Sequence, residues 1–145
     1  MDSKDLEELT KGLEGVLSLY SSLDSDFKDI NRLIVAKRKL SGYMYRFSVL
    51  VGEALEGFNT DYSMRKKVYA EETLKLIESG STIKKAELTV ELKFYNLRIE
   101  ESKSEAFYRR IKCQYDSLRD TMNSIQQDVS TLKMERNESK VHNNG

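Results

Sequence analysis

Residues 108–132 read YRRIKCQYDSLRDTMNSIQQDVSTL, and the spacing of the apolar side chains in that stretch decides the fold. Tyr108, Ile111, Tyr115, Leu118, Met122, Ile125, Val129 and Leu132 recur alternately at threes and fours without a break. On an α-helix such positions share one face, and the strict alternation keeps one seam turned toward a neighbouring helix. Extended upstream, the same register passes through Ser104, Glu101, Leu97, Phe94, Val90 and Glu87 to Ile83. Twelve of these fifteen sites are apolar or tyrosine, so the spacing predicts one very long helix from about Thr82 to about Arg136. The pattern is silent about whether the partner helix lies in the same chain. We assign Tyr108 to Leu132 as an oligomerisation seam, and Glu101 and Ser104 as a place where the partner ends or water enters. The alternative for those two is a polar layer that fixes register, or the lumen of a ring.

Composition supports helix throughout. The 145 residues contain no proline, the residue that costs roughly 3 kcal/mol in a helix interior. Charged residues make up 33% and hydrophobic residues 39%, a low apolar content for a compact monomer. The expected fold is all-α: an elongated helical hairpin or coiled-coil bundle with a very long C-terminal helix, oligomeric.

Working back from that helix, Gly80 supplies a C-cap and Ser81 or Thr82 an N-cap, which makes a tight helix–turn–helix. The segment from about Asp61 to Ser79 should fold back antiparallel. Gly57-Phe58-Asn59-Thr60 reads as a connection before it. Upstream lie a helical stretch from Ile30 to Leu55, weakened by Gly42 and Gly52, and a shorter amphipathic helix over 4–20. The expected organisation is N-terminal helices over 1–58, a helical hairpin over 59–136, and a disordered polar tail over 137–145.

The chain carries 24 basic and 24 acidic residues, so no global basic field points to nucleic acid. The distribution is more informative. Residues 1–31 form an acidic arm of net charge −5, followed by Arg32, Lys37, Arg38, Lys39 and Arg46 with no acid until Glu53. The start of the chain lacks an apolar run, so no secretory signal is expected, and no stretch is long enough to span a bilayer. A cytoplasmic location and no membrane partner follow as expectations.

Residues for catalysis are few. His142 is the only histidine and lies in the polar tail; Cys113, the only cysteine, has no histidine near it in sequence. No phosphate-loop pattern occurs, and the carboxylate pairs Glu71-Glu72 and Glu100-Glu101 point about 100° apart on a helix. We expect no enzyme activity, no metal site and no cofactor. What remains is cations beside aromatic rings. Arg32, Lys37, Arg38 and Lys39 are followed by Tyr43, Tyr45 and Arg46, and a second run, Arg65, Lys66 and Lys67, lies between Tyr62 and Tyr69. Cations that track phosphates and rings on which bases stack are the two ingredients of single-strand binding.

The stretch Ala36-Lys37-Arg38-Lys39-Leu40-Ser41-Gly42-Tyr43-Met44-Tyr45, together with the helix over Asn96–Asn137, resembles the small recombination mediators of tailed phages, the UvsY type. That resemblance implies an oligomeric ring that binds single-stranded DNA and helps load a recombinase in place of a single-strand-binding protein, in the host-cell cytoplasm. It implies that Lys37, Arg38 and Lys39 contact phosphates while Tyr43 and Tyr45 stack. The competing expectation is a structural or adaptor coiled-coil protein, such as a phage assembly factor or scaffold, with no nucleic-acid role.

Overall fold

The computed structural model describes residues 3–22 and 29–142. Met1 and Asp2, positions 23–28 of the acidic arm, and the last three residues of the tail lie outside the described residues. The fold is all-α: α1 spans Ser3–Ser21, α2 Ile30–Glu78, α3 Ile83–Lys93 and α4 Tyr95–His142. The chain divides into two compact units, residues 1–48 with 114–145, and residues 49–113. Helices α2 and α4 therefore each contribute to both.

The first unit is built from α1, the start of α2 and the end of α4. Its core comes from Leu9, Leu13 and Val16 of α1, Leu33, Ala36, Leu40 and Phe47 of α2, and Leu118, Ile125 and Val129 of α4. Each set recurs at threes, fours or sevens, so each helix buries one stripe. Polar contacts tie the same helices together. The Tyr20 hydroxyl donates to Asp128 Oδ2 at 2.9 Å, and Lys37 Nζ donates to Gln126 Oε1. Burial, and then the bond to Asp128, push the Tyr20 phenol up to about 12.

The second unit contains the rest of α2, all of α3 and the start of α4. Leu50, Ala54, Ala86, Val90 and Ile111 form its apolar core. The turn from α2 into α3 is closed as its sequence predicts. Gly80 adopts φ 96°, its N–H donates to Ile77 O at 2.9 Å, and Ser81 N–H donates to Leu76 O at 3.0 Å. This paired pattern satisfies the last carbonyls of α2 and demands the left-handed backbone that glycine accepts. Thr82 is the N-cap of α3 by backbone conformation, without a side-chain cap bond.

Three boundaries differ from the sequence reading. The stretch 57–60 is not a connection, because α2 runs through it unbroken. Thr60 Oγ1 donates back to Glu56 O at 2.9 Å rather than capping a new helix, and Phe58 stacks on Tyr108 at 6.4 Å between ring centroids. A glycine in a helix interior costs only about 1 kcal/mol, which that packing offsets. The long helix, conversely, is interrupted once, at Phe94 (φ −113°, ψ 26°). Its carbonyl accepts Leu97 N–H at 3.0 Å and the Tyr69 hydroxyl at 3.4 Å, so a tightened turn and a side chain from α2 take up the acceptor. Finally, α4 continues past Arg136 to His142, so residues 137–142 are helical.

Candidate nucleic-acid interface

The face that positions the candidate site is set by what α2 buries. Leu33, Ala36, Leu40 and Phe47 point into the first unit, which turns Val35, Arg38 and Tyr45 outward, with Tyr45 72% exposed. Arg32, Lys39 and Arg46 recur at intervals of seven along one edge of this outer face, about 10.5 Å apart along the axis. Among the described residues none of Arg32, Arg38, Lys39 and Arg46 forms an ion pair with a carboxylate.

That separates them from most other cations. Arg98 pairs with Glu91, Lys103 with Glu100, and Arg109 with Glu105, the last being the intrahelical pairing expected from its spacing. Beside Arg32, a recess of 320 Å³ is lined by Leu19, Asn31, Arg32, Val35 and Ala36. An apolar floor edged by a guanidinium suits a planar ring. The sequence reading missed this recess, because Leu19 comes from another helix and no local signal brings it to Arg32.

The remaining members of the predicted site lie elsewhere. Lys37 is half-buried and bonded to Gln126, so it joins α2 to α4 instead of standing on the outer face. Tyr43 is half-buried against Gly12 of α1, where a Cβ would overlap its hydroxyl. Its ring fills the space that Gly12 leaves open, so Tyr45 is the aromatic that faces solvent.

Arg65 is also inward-facing, with its side chain 17% exposed. It is bonded to the Glu101 carboxylate through Nε and through Nη2, and its guanidinium lies 5.7 Å and 5.4 Å from the Tyr62 and Tyr69 ring centroids. The hydrogen bond to Glu101 raises the Arg65 pKa, and the same bond holds the Glu101 carboxyl below its ordinary range. Glu101 is therefore a polar layer engaged by a cation of α2, not a water-filled gap in the seam. Lys66 lies over the Tyr62 ring at 5.6 Å, and Lys67 faces Glu71 at 4.0 Å. The second basic run is thus divided between a structural arginine and two surface lysines.

The seam residues pack within one chain. Leu118, Ile125 and Val129 are buried in the first unit with Tyr115, Met122 and Leu132 half-buried; Ile111 is buried and Tyr108 stacked on Phe58 in the second. The chain's own helices thus cover Ile111, Leu118, Ile125 and Val129 of that row, while its other four members keep a partly exposed edge. Among the described residues no group of three or more His, Cys, Asp and Glu side chains could hold a metal ion, and no helix is long and apolar enough to cross a membrane. No protein family, curated protein or solved structure matches the chain.

Proposed function

We propose that this chain is a non-enzymatic, oligomeric single-stranded-DNA-binding accessory protein of homologous recombination, which helps load a recombinase in place of a single-strand-binding protein. The observation that carries the DNA-binding reading is the outer face of α2: four cations that form no ion pair with a carboxylate among the described residues, on the stretch of helix that turns Tyr45 to solvent. Cations with no internal partner exchange only water and counterions for phosphate. Their binding is therefore favoured by counterion release and weakens steeply with salt. Tyr45 adds a ring on which a base stacks without regard to sequence. The recombinase role is supported by the resemblance to UvsY-type mediators in residues 36–45 and 96–137.

The test is fluorescence anisotropy of a labelled oligo-dT across a salt series. Wild type should bind more tightly than to duplex, with affinity falling steeply as salt rises. Arg38→Ala/Lys39→Ala/Arg46→Ala should reduce the log–log salt slope by about 2, at about 0.7 per lost contact to a single strand. A triple variant with the wild-type slope would remove this face from the site. A second reading, a structural or adaptor coiled-coil protein, is favoured by one observation: Leu88, Leu92 and Tyr95 are each more than half exposed.

A further inference from the structure

A second apolar stripe runs along the solvent side of the unit that holds α3. Leu88 is 54% exposed, Leu92 80%, Tyr95 58% and Ile99 39%. The inward face of α3 is already supplied by Ala86 and Val90, so among the described residues these four belong to no buried core. Their spacing is four, three, four, the same alternation as a coiled-coil seam, and it is kept across the single-residue break at Phe94. Isolated exposed leucines are ordinary, but a row of large apolar side chains at helix-contact spacing marks an interaction surface.

We propose that Leu88, Leu92, Tyr95 and Ile99 form a self-association surface, on which a second copy of this chain packs antiparallel across a two-fold axis. The charges beside the stripe identify the occupant. Glu91 and Arg98 flank it on the same side, seven residues apart, and pair with each other at 3.0 Å with both side chains about half exposed. A two-fold contact that sets Leu92 against Tyr95 of the second copy also sets Leu88 against Ile99. In that register Glu91 faces Arg98 of the second copy, and Arg98 faces its Glu91. The surface is thus complementary to itself, as an isologous contact requires. On the remaining flank the residues between the two ends of the stripe, Thr89 and Asn96, carry no charge. Contact over this stripe and its flanking stems buries on the order of 1,000 Å² in total, the low end for specific interfaces, so association should depend on concentration in the accessible range.

This inference rests on the oligomeric part of the reading above and not on its DNA-binding part, so it is tested without DNA. Full-length protein is followed by sedimentation velocity over a concentration series. Wild type should associate, and Leu92→Glu should sediment as a monomer with an unchanged helical circular dichroism spectrum.

Glu91→Arg and Arg98→Glu should each weaken self-association about tenfold, because two attractive pairs become repulsive. An equimolar mixture of those two variants should associate as wild type does, because each then faces the opposite charge. The intrachain Glu91–Arg98 pair stays broken in both, so such rescue can arise only between chains. Failure of the mixture to associate would overturn the proposal. Wild type that associates while Leu92→Glu does so equally well would overturn this surface and leave the oligomeric reading standing. Wild type that stays monomeric at every concentration would remove both.

Discussion

Gly12 and Tyr43 show how one residue acquires its meaning from another helix. A glycine inside an amphipathic helix weakens it by about 1 kcal/mol relative to alanine. At Gly15 nothing lies within 4 Å of the position of a Cβ, so Gly15→Ala should stabilise the protein by about 0.5–1 kcal/mol. At Gly12 a Cβ meets the Tyr43 hydroxyl, and the ring carbons Cε1 and Cζ at 3.1 Å. A rigid ring cannot yield as a lysine tip would, so Gly12→Ala should destabilise by about 1 kcal/mol despite its better propensity. Urea denaturation of both variants checks the opposite signs. Gly12→Ala/Tyr43→Phe should recover most of the loss, because it removes the overlapping oxygen; no recovery would mean that the hydroxyl is not the obstacle. The sequence shows two similar glycines, Gly12 and Gly15, and nothing local tells them apart. Arg65 teaches the same lesson with charge: its neighbours in sequence make it look like part of a basic patch, while Glu101, 36 residues away, makes it structural.

At the scale of elements, α2 and the α3–α4 pair depart from their sequence reading in opposite directions. Glycine with asparagine and threonine, at 57–60, is a fair turn signal, yet the helix passes through because Phe58 and Tyr108 stack across the unit. If Gly57 lies in a helix interior, Gly57→Ala should raise stability by about 0.5–1 kcal/mol, read as a higher urea midpoint with an unchanged slope. A glycine needed to end a helix in the left-handed conformation would give the opposite result, as Gly80→Ala should at φ 96°. The break at Phe94 carries no glycine or proline. It depends on a hydroxyl from α2 that reaches its carbonyl, a contact which periodicity along α4 does not contain.

For the whole molecule, the finding with most consequence is that four of the eight seam residues, Ile111, Leu118, Ile125 and Val129, are buried within a single chain. Ile125 is 0% exposed within a single chain. Ile125→Asp should therefore unfold the protein instead of dissociating an assembly, at a cost of more than about 4 kcal/mol for burying an unpaired carboxylate. Circular dichroism should show lost helix at 25 °C; a folded monomer would restore the seam to contacts between copies. The sequence by itself determined that the chain is helical, which stripes are apolar, where α2 turns into α3, and that residues 32–52 are free of acids. Those features follow from local rules: 3.6 residues per turn, the backbone freedom of glycine, and the absence of proline. Only the tertiary structure decided which stripe is covered by the chain itself and which is left to solvent. It also separated Arg38, Lys39, Tyr45 and Arg46, which face outward, from Lys37, Tyr43 and Arg65, which are held by Gln126, Gly12 and Glu101. The physical reason is that periodicity fixes which residues share a face of one helix. What that face meets depends on residues distant in sequence, and there burial, charge pairing and exposure are settled.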